Sequence, residues 1–122
     1  MLANPILELD PSSYLREVLP ALLRSAQRPA LPKAVIQFVI VDRPDCDLAY
    51  RCSPAGLEVM DGIVDDVDLT LSFVSADLLA FAKKKLDVPR ALRSQRLKVY
   101  GRTELLEWMT ARLVDAATGG VS

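Results

Sequence analysis

Four side chains in this sequence have the chemistry of a general acid or base that could work inside an apolar cavity: Tyr50, Asp68, Tyr100 and Glu104. Burial raises the pKa of a carboxyl group, which is one way in which proteins tune such a residue for proton transfer. The chain contains no histidine, so a histidine-based triad, a histidine-ligated metal and an imidazole base are excluded. No nucleophile–base pair is recognisable. We therefore expect binding without catalysis, and an enzyme or accessory factor acting on a small apolar substrate is the alternative.

Three aspartates close in sequence, Asp65, Asp66 and Asp68, have the side chains of a divalent-metal site. They lack the glycine and terminal glutamate of a calcium-binding loop, so a solvated turn explains them. The sequence predicts neither a metal nor a cofactor. Cys46 and Cys52 are the only cysteines, and we expect free thiols because disulfides are uncommon in cytoplasmic proteins.

Charge is distributed unevenly along the chain. Residues 42–68 contain eight acidic side chains and two arginines, a balance of −6, whereas residues 83–102 contain eight basic side chains and one aspartate, a balance of +7. This basic segment (residues 83–102) could meet anionic lipid headgroups, a phosphate of a ligand or an acidic protein partner. Nucleic acid is not expected, because Tyr100 is the only interleaved aromatic residue. The residues predicted to contact a membrane or headgroup are Lys83, Lys84, Lys85, Arg90, Arg93 and Arg96.

The elements around the basic segment alternate between strand and helix. Residues 67–73 alternate apolar and polar side chains, as in a strand with one buried face. Ser75 is predicted to cap an amphipathic helix that ends in the three lysines, where positive charge also suits the helix dipole without any ligand. Pro89 suits a first helical turn, and residues 96–101 form a second alternating strand.

The first and last helices are predicted to flank this region in sequence. Asp10 and Pro11 mark the start of the first helix, and Pro20 predicts a kink or two short helices. The final helix is predicted from residue 102 or 103 to Ala117. The apolar stripe of the first helix comprises Leu15, Val18, Leu19, Leu22, Leu23 and Ala26.

The predicted fold class is α/β (α+β), a single domain in which helices cover one face of about five mostly antiparallel strands. Strands at 34–41, 47–52 and 57–60 form a meander, the first of them central to the sheet. With 122 residues, 51% of them hydrophobic and 6% aromatic, one domain with an aliphatic interior is expected. Residues 1–10 are predicted to be a loosely ordered lead-in, 11–117 the domain and 118–122 a mobile tail. No apolar run suits a membrane span or a signal peptide, so we predict a cytoplasmic protein of unknown oligomeric state.

A set of large apolar residues could line a ligand cavity beneath the final helix. Such a cavity needs apolar area and few polar groups. The alternative is that the same residues simply fill the core, and the residue pattern leaves both interpretations open. Movement of the final helix would open the cavity. The candidate lining residues are Phe38, Phe73, Leu78, Phe81, Leu105, Met109 and Leu113.

The order of these pieces over roughly residues 36–113 resembles the sterol carrier protein type 2 lipid-transfer family. The similar features are the alternating strand with Asp68 and Thr70, the leucine-rich helix, and the run from Gln95 to Leu105 before the final helix. Two features depart from the family pattern: Gln95 replaces its usual glycine, and three lysines replace the Gly-Lys pair at the end of the helix. Animal-type sterol or acyl specificity is therefore not carried over.

The resemblance implies a carrier of a fatty acyl chain, a sterol-like ring system or an isoprenoid quinone precursor. The run from Gln95 to Leu105 is more similar to bacterial accessory proteins of quinone biosynthesis than to the animal carriers. A protein-interaction module that uses the basic segment to bind an acidic partner is the alternative from another functional class.

Overall fold

A computed structural model describes residues 10–26, 30–83 and 85–119, with side chains as far as residue 115. Residues 1–9 of the predicted lead-in and residues 120–122 of the predicted tail lie outside the described residues, whereas Asp10 is described as a helix cap and the final helix continues to Gly119, two residues beyond the predicted end at Ala117. The elements are α1 (Pro11–Ser13), a π-helical turn (Tyr14–Val18), α2 (Leu19–Ser25), β1 (Ala34–Ile40), β2 (Leu48–Ser53), β3 (Gly56–Asp61), β4 (Leu69–Phe73), α3 (Ser75–Ala82), α4 (Val88–Arg93), β5 (Lys98–Gly101) and α5 (Glu104–Gly119).

The five strands form one mixed sheet in the order β3-β2-β1-β4-β5. Strand β1 pairs parallel with β4, and all the other pairs are antiparallel. The predicted single α/β domain, the meander of β1 to β3 and the central position of β1 are confirmed. Ile36 lies opposite both Tyr50 of β2 and Leu69 of β4, and all three side chains are fully buried. This shared face carries the core, and the helices pack on it.

Pro20 shapes the first helix, as predicted. Asp10 accepts hydrogen bonds from the backbone N–H groups of Ser12 and Ser13 and so caps the helix start. In the π-helical turn the N–H of Leu19 donates to Tyr14. The same five-residue spacing would pair the carbonyl of Leu15 with the N–H of residue 20, but residue 20 is a proline and has no N–H. The Leu15 carbonyl accepts instead from the buried Tyr50 hydroxyl at 2.5 Å.

The predicted stripe of the first helix is wrong at two positions. Val18 is 37% exposed and Leu22 is 38% exposed, whereas Leu15, Leu19 and Leu23 are buried. A π-helical turn contains more residues than an α-helical turn, so it shifts the residues that follow away from the 100° spacing on which the stripe was based.

The start and end of α3 also differ from the prediction. Ser75 is not the N-cap, because Val74 occupies that position and has no capping side chain. Asp42, just beyond β1, accepts hydrogen bonds from the backbone N–H and the hydroxyl of Ser75 instead. The helix ends at Ala82, with Lys83 as C-cap, and so has no basic residue in its last turn. Helix-dipole stabilisation therefore does not account for Lys85, and Lys84 lies outside the described residues.

Two residues with positive φ lie at the two ends of the segment that forms β5: Gln95 shortly before the strand and Gly101 at its last position. Gln95 has φ +63° and follows α4, whose first turn contains Pro89 as predicted. Gly101 has φ +101°, and a Cβ atom there would overlap the carbonyl oxygen of Asp68. Glycine is therefore required where β5 closes on β4.

Candidate functional site

An apolar cavity of about 40 Å³ lies on the helix-covered face of the sheet. Every residue that lines it has an apolar side chain, so the cavity offers a ligand contact area and no side-chain hydrogen-bonding group. The volume exceeds what one buried water needs, yet the absence of polar partners favours an apolar occupant. The lining residues are Leu19, Phe38, Leu71, Phe73, Leu78, Phe81, Leu86, Val88, Leu97, Leu106 and Met109.

Five of the seven residues that the sequence singled out line this cavity: Phe38, Phe73, Leu78, Phe81 and Met109. The other two do not. Leu105 is only 2% exposed and belongs to the core, and Leu113 is half-buried against it.

The floor of the cavity follows from the parallel pairing of β1 with β4. This register places Phe38 beside Leu71 and Ile40 beside Phe73, so two aromatic rings lie on adjacent strands. The alternation of residues 67–73 already indicated that Leu71 faces inward.

The roof comes from α3, α4 and α5. The sequence analysis did not assign six of the lining residues to the cavity: Leu19, Leu71, Leu86, Val88, Leu97 and Leu106. Of these, Leu86 and Val88 lie on or just after the connector (residues 83–87) between α3 and α4. A connector has no regular period, so no spacing signal identifies which of its side chains face the core.

Helix α5 is anchored to the end of α2 by a buried arginine. Arg112 is 3% exposed, and its guanidinium donates to the carbonyl oxygens of Leu23, at 2.9 Å from Nε, and of Ala26, at 2.6 Å. Trp108 donates from its indole to the carbonyl of Ala30 at 2.9 Å, and its ring lies 5.9 Å from the Arg112 guanidinium. These contacts fix one wall of the cavity.

The cations of the basic segment have different environments. Lys85, Arg90 and Arg93 are exposed, and Lys83 is half-buried. Arg96 forms an ion pair with Asp77, whose side chain is only 5% exposed. Arg96 is thus held in place, whereas no ion pair with a carboxylate of the described residues holds Arg90 or Arg93.

None of the acid–base candidates lines the apolar cavity. Burial raises the pKa of Tyr50 well above its ordinary value, and its hydroxyl is already bonded to Leu15. A hydrogen bond from Arg102 lowers the pKa of Glu104, which is exposed. The carboxylate of Asp68 accepts from the N–H of Val35 at 2.8 Å, a structural contact within the sheet.

The cysteines and aspartates form no reactive cluster. Cys46 and Cys52 are buried free thiols, and burial raises the pKa of Cys52 to about 11. A thiol of this kind is a poor nucleophile at neutral pH. Within residues 10–26, 30–83 and 85–119 no group of three or more Asp, Glu or Cys side chains is arranged to hold a metal ion. In the same ranges, no helix combines the length and the apolar character needed to cross a bilayer.

Comparison with solved structures finds the same fold in several proteins. The UbiJ-SCP2 ubiquinone synthesis protein is 16% identical with a TM-score of 0.69, over 86% of this chain and 94% of that chain. Palmitated SCP2L2 from Aedes aegypti is 19% identical with a TM-score of 0.62, over 82% of this chain and 92% of that chain.

A double mutant of the sec-alkyl sulfatase PisA1 is 23% identical with a TM-score of 0.60 over 66% of this chain, but the match spans only 13% of the sulfatase chain. No curated protein matches the chain significantly. A sequence profile of the SCP-2 sterol transfer family, in contrast, matches residues 19–112, which is most of the 122-residue chain. The chain therefore belongs to the SCP-2 sterol transfer family.

Proposed function

We propose that the protein binds an apolar or amphipathic molecule in the cavity between the sheet and helices α3 to α5, and carries it shielded from water without transforming it. The observation that carries this proposal is the lining, which is apolar at every position. Apolar surface removed from water contributes about 25 cal/mol per Å², so affinity needs no specific polar contact. The ligand classes are a fatty acyl chain, a sterol-like ring system or an isoprenoid quinone precursor.

Two relatives support different members of this set. The palmitated SCP2L2 structure favours an acyl chain. The ubiquinone synthesis protein UbiJ-SCP2 favours a quinone precursor and a place as an accessory factor in its synthesis. The proposed ligand contacts are Phe38, Phe73, Leu78 and Met109, together with the less buried Phe81, Leu86 and Val88.

Uptake requires the cavity wall to move, because ligand pockets typically have about 300–1,000 Å³ and this cavity has about 40 Å³. Arg112 and Trp108 hold α5 to the end of α2 and to Ala30. We therefore assign the opening to the connector and α4, which carry Leu86 and Val88, and not to the final helix. Short elements with few buried contacts are the parts of a protein that open at low free energy.

Native mass spectrometry of the purified protein, followed by organic extraction, tests the proposal. After incubation with palmitate, a sterol and a ubiquinone precursor, we expect a 1:1 adduct with at least one of them. Leu86→Trp, which fills the cavity, should lose that adduct. Ile63→Trp is the matched control, because Ile63 is 66% exposed and does not line the cavity. An unliganded mass with all three ligand classes in every variant contradicts the carrier function.

The exposed cations Lys85, Arg90 and Arg93 support a second proposal, that the protein delivers its ligand while docked on an anionic membrane surface. They lie on or beside α4, next to the half-buried Leu86 and Val88 of the cavity wall. Each Lys or Arg near an anionic surface contributes about 1 kcal/mol, and salt weakens the attraction. Lys83 and Arg96 belong to the same proposed surface. Lys84 was predicted to join them, but it lies outside the described residues.

Vesicle sedimentation separates this proposal from a generic effect of charge. Binding to phosphatidylcholine vesicles that contain phosphatidylglycerol should fall about tenfold or more in the double variant Arg90→Gln, Arg93→Gln. The control Lys33→Gln, Arg51→Gln removes the same charge from two exposed positions elsewhere and should bind like the wild type. If both double variants lost vesicle binding equally, net charge alone and not the position of the arginines would explain the binding. Binding to an acidic protein with no affinity for vesicles would favour the interaction module.

A further inference from the structure

An ion pair joins the start of α3 to the end of α4, in the wall of the cavity to which we assign the opening. Arg96 donates to the carboxylate of Asp77 from Nε, at 3.4 Å, and from one terminal nitrogen. The side chain of Asp77 is only 5% exposed, whereas that of Arg96 is 60% exposed. Among the described residues, Arg96 is the one side chain that hydrogen-bonds this carboxylate. Separation of the pair would leave a nearly buried negative charge without a partner, which is costly.

Asp77 is the partner that is fixed to the sheet. It lies in the first turn of α3, which begins at Ser75. The hydroxyl and the N–H of Ser75 donate to the carboxylate of Asp42, just beyond the end of β1, at 2.6 and 2.8 Å. The first turn of α3 is therefore tied to the central strand.

Arg96 is the partner that is tied to α4. Its N–H donates to the carbonyl of Ala91 at 2.9 Å, and the N–H of Leu97 donates to the same carbonyl at 3.1 Å. Together with the left-handed backbone of Gln95, these bonds close the end of α4. Of the six residues of α4, only Ala91 is buried. The helix has little buried surface of its own, so its position depends on the ion pair with Asp77.

The ion pair lies beside the apolar cavity. The residues that follow its two partners, Leu78 after Asp77 and Leu97 after Arg96, both line the cavity and are buried. Neither Asp77 nor Arg96 lines the cavity itself. The pair therefore holds together two segments of the cavity wall without contacting the space that a ligand would occupy.

We propose that this ion pair is a latch, which must break before α4 and the connector can move outward and admit or release a ligand. The inference rests on the proposed carrier function, because it names the contact that regulates access to the same cavity. The latch is closed in the empty and in the loaded protein, so its strength changes the rates of entry and exit together. The ion pair thus sets the residence time of the ligand, whereas the apolar lining sets its affinity.

Stopped-flow fluorescence tests the latch with cis-parinarate, a fluorescent fatty acid, displaced from the protein by excess palmitate. The double variant Asp77→Asn, Arg96→Gln removes the ion pair and leaves no unpaired buried charge. Its exit rate should be about tenfold or more above that of the wild type, with a dissociation constant changed by less than about twofold. The matched control Arg102→Gln, Glu104→Gln removes an exposed ion pair at the start of α5 and should release cis-parinarate at the wild-type rate.

Amide hydrogen exchange of the ligand-free protein gives a second measurement. The N–H groups of Ala91 and Ser94 are hydrogen-bonded at the start and the end of α4. Their protection should fall in the Asp77→Asn, Arg96→Gln variant, while protection in α5 stays unchanged. An equal loss of protection in α5 would mean that the ion pair stabilises the whole fold, which would overturn the latch.

The outcomes separate the latch from the carrier function. An unchanged exit rate with intact binding overturns the latch and leaves the carrier function in place. Weaker binding of the double variant at an unchanged exit rate would assign the ion pair to affinity and not to access. If the wild type binds neither cis-parinarate nor a sterol nor a ubiquinone precursor, the carrier function is contradicted and the latch with it.

Discussion

Two groups of helices cover the same face of the sheet, and they are held there by different contacts. On one side, α2 and α5 are joined by the buried Arg112, and the π-helical turn is fixed by the hydroxyl of Tyr50. On the other side, α3 and α4 are short, and their only described ion pair to a neighbouring element is the part-exposed contact of Asp77 with Arg96. The cavity lies between the two groups, with one wall anchored by Arg112 and one wall that we propose to open.

Substitution of Arg112, which anchors α5 to α2, should produce the largest change in stability. Arg112→Met should lower the free energy of unfolding by about 3 kcal/mol, because the carbonyls of Leu23 and Ala26 lose their donor while they remain buried. Arg93→Met, on the exposed face of α4, should change it by less than about 0.5 kcal/mol. Urea denaturation followed by circular dichroism measures both. Equal effects would show that the two sides are not held differently.

Tyr50→Phe should have the next largest effect, a loss of about 1–2 kcal/mol. The substitution leaves the ring contact with Phe38 in place but leaves the Leu15 carbonyl without its donor. Tyr100→Phe is the control, because Tyr100 is 58% exposed and its hydroxyl can exchange partners with water. Thermal unfolding of the two variants checks the prediction, and similar melting temperatures would contradict it.

Gln95→Gly should raise the free energy of unfolding by about 0.5–1 kcal/mol, because glycine adopts positive φ without strain. Gln95→Ala keeps the Cβ atom and hence the strain, so its stability should stay close to that of the wild type. If only the glycine variant has a higher free energy of unfolding, the backbone at Gln95, on the α3–α4 side of the sheet, is strained. If alanine gave the same gain, the side chain and not the backbone would be the cause.

The smallest effect is a local one at the start of α3. Hydrogen bonds from the hydroxyl and N–H of Ser75 lower the pKa of Asp42. A lowered pKa in the folded protein means that the cap contributes fully above the unfolded pKa of about 3.9 and is lost as pH falls through the folded value. The protection factors of the amides in the first turn of α3 should therefore fall below about pH 4 before those of α5 do. Asp42→Asn should remove this pH dependence, and an unchanged profile in that variant would exclude Asp42 as its origin.

The parts of the fold that local patterns encode could be predicted from the sequence. Alternation located β4, proline placed the interruption in the first helix, and the β-branched run identified the central strand. Contacts between distant residues could not be predicted. The cap of α3 comes from Asp42, which is 33 residues away from Ser75 in the chain. The same holds for Arg112, which meets a carbonyl 89 residues away.

The residues of the candidate site also fall into those that local patterns predict and those that they do not. Residues on regular elements, such as Phe38 and Met109, could be assigned to the cavity from periodicity. Leu86 follows Leu78 and Ala82 at helical spacing, which predicts a place on the same helix, but α3 ends at Ala82 and Leu86 lines the cavity from the connector. Leu105 shares the buried stripe of α5 with Met109 but lies outside the cavity lining. Periodicity shows which face of a helix is buried, and it does not show where along that face the packing leaves a gap.

The bond between Arg112 and Leu23 also has a consequence for synthesis of the protein. Leu23 and Arg112 are 89 residues apart, so this anchor of the first helix can form only after α5 has left the ribosome. Chains whose contacts are distant in sequence fold slowly and expose apolar surface meanwhile. A nascent chain that stops before α5 would lack this anchor, and the apolar surface that α5 covers would remain available to chaperones and proteases.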